Sequence, residues 1–237
     1  MDIMKDVDLL TEIGSHLRSK NRFSLTKEMS ERINAYCEHC ISDLAVLPEG
    51  TKLWRSRVMH LGQKAVYSKD EMGAPPSHVA TAGRINPEGI SYLYAALEEN
   101  TAISEVRPWV GANISSGQLV STTEIKLVDM RMKELDLSSV SGETPWAEQP
   151  NVTRQITKQL IDKMYFSAPI HSGDNLSYIA SQFIAEKLKN LGADGILYPS
   201  VLNQSGLNVC LFEPALAQVV SVRLVQVEQV EYKVKLM

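Results

Sequence analysis

Helical periodicity in this chain stops at Pro48 and Gly50 and never returns in regular alternation with strands. Before that pair, Ile3, Val7, Leu10, Ile13 and Leu17 recur every three to four residues, and Ile33, Tyr36, Cys37, Cys40 and Leu44 repeat the spacing. That pattern predicts helix with one apolar face up to about residue 47. Proline and glycine this close together stop a helix and open a turn. Beyond them the extended runs are short and not separated by regular crossover helices, so the pattern predicts an α+β fold with a mainly antiparallel sheet. The chain divides into a helical extension, residues 1–50, packed on a core of residues 51–237.

Within the core, residues 52–59 read as extended and residues 91–96 as a strand. Residues 63–82, with Gly73, Pro75, Pro76 and Ser77, read as loop. Thr101 is placed to cap a short helix over residues 102–106, because its hydroxyl can accept from first-turn amides. Residues 119–130 alternate as one strand. Residues 151–166 and 175–191 read as helices, the second ended by Gly192, and residues 195–198, 207–212 and 219–234 as strands.

Charge narrows the function. With 24 Lys and Arg against 28 Asp and Glu, the net charge of -4 excludes a nucleic-acid binder held by bulk basic charge. No run approaches the roughly 18 apolar residues of a membrane helix, and Asp2, Asp6 and Asp8 stand where a signal peptide carries basic residues. Three cysteines do not suit a secreted disulfide framework, so the expectation is a cytoplasmic protein. Cys37 and Cys40, flanking Glu38 and His39, share a helical face, but no second Cys or His pair completes a four-ligand zinc site. The expectation is no metal. A GxSxG elbow, a phosphate loop and a GxGxxG turn are all missing from the sequence.

One constellation remains. Arg84 sits on a glycine-flanked turn, Tyr94 follows on a strand, and Glu105 lies at the end of a short helix, so three consecutive elements present three kinds of polar group. Periodicity alone also fits a surface turn, a core tyrosine and a solvated carboxylate.

At these residues the sequence resembles the RES domain family. Leu53-Trp54-Arg55 resembles the family's first strand, Gly83-Arg84-Ile85-Asn86-Pro87-Glu88-Gly89 its glycine-arginine turn, and Thr101-Ala102-Ile103-Ser104-Glu105-Val106 its glutamate helix. Ser181-Gln182-Phe183, Gly195-Ile196-Leu197-Tyr198-Pro199-Ser200 and Gly206-Leu207-Asn208-Val209-Cys210-Leu211-Phe212 continue it, to about residue 215. The stretch between Arg55 and Arg84 is longer than in compact members, and the N-terminal helices lie outside the domain.

The resemblance implies an ADP-ribosyltransferase-like fold and a toxin of a bacterial toxin-antitoxin pair that consumes NAD as a substrate, with no redox cofactor. The reaction it implies first is phosphorolysis by inorganic phosphate, giving nicotinamide and ADP-ribose 1″-phosphate. Mono-ADP-ribosylation of a protein, hydrolysis, and a non-catalytic partner-binding module stand beside it. The implied partner is an Xre-type helix-turn-helix antitoxin, and the apolar stripes of the N-terminal helices suggest a homo-oligomer.

Carried onto this chain, the catalytic set is Glu105, Arg84 and Tyr94. Arg55 and Arg84 supply planar forks for the pyrophosphate. Tyr94 stacks on nicotinamide or closes the pocket around it. Glu105 stabilises cationic character at the ribose C1″, and Ser200 binds and orients. Arg57 and Arg107 are second-rank candidates for an incoming phosphate and Gln182 for binding, each also readable as an ordinary salt bridge or sheet-edge polar group.

Overall fold

In the computed structural model, which describes residues 12–131, 150–163, 166 and 178–231, eight strands form one sheet. In chain order they are β1 (Leu44–Leu47), β2 (Lys52–Val58), β3 (Leu93–Ala96), β4 (Asn113–Ser121), β5 (Ile125–Asp129), β6 (Gly195–Pro199), β7 (Leu207–Leu211) and β8 (Ala217–Gln226). Their spatial order is β1-β5-β6-β7-β3-β2-β4-β8. Every neighbouring pair is antiparallel except β5 with β6. A parallel pair needs a long crossover, and the chain between those two strands contains α4 (Pro150–Asp162) and α5 (Ile179–Asn190). The remaining helices are α1 (residues 12–19), α2 (Lys27–Ile41) and α3 (Glu99–Glu105). The fold is α+β with a mainly antiparallel sheet, as the pattern predicts.

The sheet separates two apolar layers. On one face Leu53, Leu93, Ala95, Leu119, Leu127, Leu197, Val209 and Leu211 pack together. On the other, Tyr92, Val128, Ile196, Cys210 and Phe212 meet the apolar sides of the helices, including Ile13 and Leu17 of α1, Ile33, Tyr36, Cys37 and Cys40 of α2, and Ile184 and Leu188 of α5. Strand alternation makes this division, since successive side chains leave a strand on opposite faces.

Helix α2 starts at Thr26, whose hydroxyl accepts from the Met29 amide at 3.3 Å. Its buried face is the predicted one, and Cys37 and Cys40 are free thiols that burial pushes up to about 12. They are core residues, unreactive as thiolates at neutral pH. Tyr36 on the same face donates to Asp162 at 2.8 Å, and Lys158 bridges Asp162 (2.5 Å) to the Asp129 carbonyl (2.7 Å). This buried network ties α2 to α4 and to the end of β5.

Four sequence expectations need correction. The first helical region ends at Ile41, and Leu44–Leu47 is the edge strand β1, paired with β5 from Leu44 opposite Val128 to Leu47 opposite Ile125. Pairing with an available strand outweighs the weak helical signal of four apolar residues. Residues 119–130 are two strands, because the polar Thr122, Thr123 and Glu124 turn the chain and the Thr122 amide donates to the Leu216 carbonyl. Helix α3 begins at Glu99, so Thr101 lies inside it, and its hydroxyl accepts from Asn203 Nδ2 at 2.8 Å. The last strand spans Ala217–Gln226. Ile3, Val7 and Leu10, and residues 164–165, 175–177 and 232–234 of the expected helices and strand, lie outside the described residues. Among the described residues no helix is long and apolar enough to cross a membrane.

The centre of the sheet tolerates no extra atom at Gly195. A Cβ there would lie 2.3 Å from the Cys210 carbonyl oxygen and 3.0 Å from Leu127 Cδ2, on the two strands that flank β6. Gly195→Ala is expected to destabilise the protein by about 1–3 kcal/mol, read as a lower denaturant midpoint with an unchanged m-value.

Candidate functional site

Strands β2 and β3 share a single ladder pair, Trp54 opposite Ala96. Ala96 in turn opposes Asn208, and Asn208 opposes Tyr198. Cross-strand partners share a face, so Trp54, Ala96, Asn208 and Tyr198 form a row across four strands. Helix α3 stands over this row, and the small Ala96 leaves space beneath it. The space is a cleft of about 210 Å³ lined by Trp54, Arg55, Ser56, Tyr94, Glu105 and Asn208, with Ala102 and Val106 as the apolar wall of α3.

Glu105, the last residue of α3, is held from the sheet. Its Oε1 accepts from the Ser200 hydroxyl at 2.7 Å and from Asn208 Nδ2 at 2.6 Å. The Ser200 oxygen itself accepts from the Leu202 and Asn203 amides at 3.1 and 3.0 Å. With both lone pairs engaged, its proton goes to the carboxylate. Ser200 and Asn208 are buried, so the position of Glu105 is fixed by groups that cannot turn away to water.

The Arg84 turn is clamped from three sides. Gly83 N donates to the Asn86 carbonyl at 2.9 Å and closes it. The Tyr94 hydroxyl accepts from the Ile85 and Asn86 amides at 3.1 and 3.2 Å and donates to Asn86 Oδ1 at 2.8 Å. From α5, Gln182 Nε2 donates to the Gly83 and Asn86 carbonyls at 2.7 and 3.0 Å, and the Ser181 hydroxyl lies 2.5 Å from the Arg84 carbonyl. A Cβ on Gly83 would stand 2.5 Å from Asn86 Oδ1 and 2.8 Å from the Tyr94 hydroxyl, so only glycine permits this approach. The turn delivers the Arg84 guanidinium to 5.8 Å from the centre of the Tyr178 ring. Burial raises the Tyr198 hydroxyl well above its ordinary pKa, with Cys210 and then Glu105 adding to the shift and Arg84 opposing it.

Arg55 faces the cleft from β2. Its Nη1 donates to the Tyr94 carbonyl at 2.7 Å, while its buried Nε has no partner among the described residues. Among the described residues no carboxylate pairs with it. Burial pushes the guanidinium down to about 10, with the nearby Arg57 adding to the shift, so at neutral pH it is a cation without a counter-ion. An uncompensated buried charge costs several kcal/mol, and an anionic ligand is the natural relief.

The structure thus brings Arg55, Tyr94, Glu105 and Ser200 together, while Arg84 is not among the residues lining the cleft. Tyr94 contributes its ring to the wall, but its hydroxyl is spent on the turn and does not face the cleft as a ligand contact. Gln182 holds the same turn. Arg57 is drawn elsewhere, donating to the Glu71 carbonyl at 2.7 Å with its guanidinium 4.1 Å from the Tyr67 ring centre, where it pins the long loop before Arg84. Arg107 is exposed, at φ 48° just past α3, and is not among the residues lining the cleft. Sequence reasoning missed Asn208, Tyr198 and Trp54 as site residues. Asn208 left a signal, being a lone amide in an otherwise apolar strand, which must find a partner once buried. No group of three or more His, Cys, Asp or Glu is placed to hold a metal among the described residues.

The family model of the RES domain matches residues 52–234. Among solved structures, the M. tuberculosis MbcT–MbcA toxin–antitoxin complex contains a chain that is similar at 14% identity and a TM-score of 0.45, over 81% of this chain and 92% of that one. No curated protein matches.

Two substitutions separate the roles of these groups. Tyr94→Phe strands two amides and the Asn86 side-chain oxygen Oδ1, and is expected to cost about 1–3 kcal/mol, seen as a lower Tm together with weaker binding at the Arg84 turn. Arg55→Met removes a cation without a counter-ion but also the donor to the Tyr94 carbonyl, two effects of opposite sign, so Tm is expected to change little, while binding of a pyrophosphate-bearing ligand, followed by calorimetry, is lost.

Proposed function

Because the chain belongs to the RES domain family, we propose that it is the NAD-consuming toxin of a toxin-antitoxin pair, acting as an NAD phosphorylase. The observation that carries this reading is the pairing, in one cleft, of a carboxylate fixed by two buried donors with an arginine that has no counter-ion. NAD has the complementary charges. Its pyrophosphate is an anion suited to the open edge of Arg55 and to Arg84, and its nicotinamide–ribose bond ends in a cationic ring.

In the reaction the C1″–N bond breaks and its electron pair leaves with nicotinamide, which becomes neutral. Positive charge passes to the ribose C1″ and ring oxygen. Glu105 is held where a negative charge stabilises that state more than the ground state, as carboxylates do in glycoside cleavage. Ser200 and Asn208 bind Oε1 and leave Oε2 without a hydrogen bond among the described residues, available to a ribose hydroxyl or the developing cation. A phosphate oxygen then bonds to C1″ and gives ADP-ribose 1″-phosphate. An Xre-type antitoxin as the partner, and action in the cytoplasm, belong to the same proposal.

Purified protein with NAD and inorganic phosphate, followed by product mass, tests the reading. Nicotinamide and ADP-ribose 1″-phosphate are expected. ADP-ribose without phosphate dependence would indicate hydrolysis, a labelled protein band would indicate ADP-ribosyl transfer, and no NAD loss with any acceptor would overturn the enzymatic assignment. Glu105→Gln is expected to lower kcat by about 10²–10³-fold with little change in KM, and Asn208→Ala or Ser200→Ala by about tenfold each, since each removes one of the two bonds that aim the carboxylate.

A further inference from the structure

Among the described residues Ser56 is, after Arg55, the second buried polar side chain that lacks a hydrogen-bond partner, and it lines the same cleft as Arg55. Its surroundings explain why no protein group satisfies it. Across the ladder it faces Ser116, whose hydroxyl is committed to Glu99 at 2.5 Å. Above it, α3 presents Ala102 and Val106. A buried hydroxyl without a partner is costly, so a group that both lines a cleft and lacks a protein contact is arranged for a ligand.

The charges around Ser56 say which kind. Side chains alternate along β2, so Trp54 and Ser56 leave on the α3 side, while Arg55 and Arg57 leave on the other and Arg55 reaches the cleft at the gap beside Tyr94. The cation in register with Ser56 across Ser116, Arg223, is engaged by Glu99 through Nε and Nη2. The carboxylates of Glu99 and Glu105 stand on that side as well, at the two ends of α3. A phosphoryl group there would meet the negative charge of Glu105, that of Glu99 being offset by Arg223. A flat cationic ring meets the aromatic walls of Trp54, Tyr94 and Tyr198, the methyls of Ala96 and Ala102, and the Glu105 carboxylate, whose sign is favourable.

We infer that Ser56 is a specificity-determining residue, whose hydroxyl hydrogen-bonds the carboxamide of the nicotinamide group before and after it leaves. The hydroxyl suits this group because it both donates and accepts, as does a primary carboxamide. The inference rests on the NAD reading and deepens it: the Ser56 end of the cleft takes the pyridine carboxamide, and the Arg55 edge takes the phosphates.

The test compares wild type with Ser56→Ala. Since the hydroxyl has no protein partner, the substitution is expected to leave Tm unchanged or slightly higher, which separates a ligand contact from a structural one. KM for NAD is expected to rise about tenfold, with a smaller effect on kcat, and inhibition by free nicotinamide to weaken by a similar factor. The preference for NAD over its 3-acetylpyridine analogue, which lacks the amide N–H groups, is expected to shrink. Wild-type KM and wild-type nicotinamide inhibition in the variant would overturn the inference. So would a raised KM for phosphate with that for NAD unchanged, which would put the hydroxyl on the acceptor. Calorimetry with nicotinamide alone keeps the two readings apart: a wild type that binds nicotinamide, and a variant that does not, support the inference even where NAD turnover fails, whereas a wild type that does not bind it overturns the inference while leaving NAD cleavage open to its own assay.

Discussion

The site depends on how little of β2 is paired with β3. One ladder pair, Trp54 with Ala96, joins two strands that lie side by side in the middle of an eight-stranded sheet. The Tyr94 carbonyl, which a longer ladder would have satisfied with a backbone amide, accepts instead from the Arg55 guanidinium. A side-chain donor thus stands in for a strand bond and brings a positive charge into the opening. A fully paired β2–β3 ladder would close this gap, and Arg55 would have no reason to be inside the sheet.

Around that opening each functional group is held by elements distant in sequence. Helix α3 is seven residues long and has no side-chain cap at its start. Its ends are fixed to the sheet instead, Glu99 by Ser116 and Arg223 on β4 and β8, and Glu105 by Ser200 and Asn208 near β6 and β7. The Arg84 turn is held by Tyr94 from β3 and Gln182 from α5. So short a helix and so sharp a turn have little stability of their own, and the hydrogen bonds they make to groups on the sheet and on α5 supply it.

This arrangement explains which parts were legible in the sequence. Local patterns were: the stop at Pro48 and Gly50, the buried face of α2, and the glycine that admits the Arg84 turn all depend on neighbours within a few residues. Edge strand β1 was not, because four apolar residues become a strand only when β5 is beside them. Thr101 illustrates the same limit: its hydroxyl suits a helix cap locally, but the fold uses it to accept from Asn203, 102 positions away. Tyr94 was legible as a site residue by its place in the motif, yet the use of its hydroxyl was fixed by the Asn86 side chain. Asn208 was passed over because its partner, Glu105, lies 103 positions earlier. Residue type and order indicated which chemistry to look for, and only the three-dimensional register showed which atoms remain free to perform it.

Net charge is a poor guide to such a site, and Arg55 shows why. A chain with an excess of acidic residues over basic ones can still present a cation to an anionic ligand if that cation is withheld from every carboxylate. The fold withholds Arg55 by burying it between strands whose polar groups are backbone carbonyls and neutral side chains, while it pairs the exposed Arg223 with Glu99 and the half-exposed Arg131 with Asp129. The unpaired charge lowers the stability of the empty protein, and that same deficit strengthens the attraction for a ligand that ends it. A mutation that gave Arg55 a carboxylate partner would therefore stabilise the fold and fill the site with the protein's own anion. Among the described residues no carboxylate takes that place, which leaves the cation available to an anionic ligand.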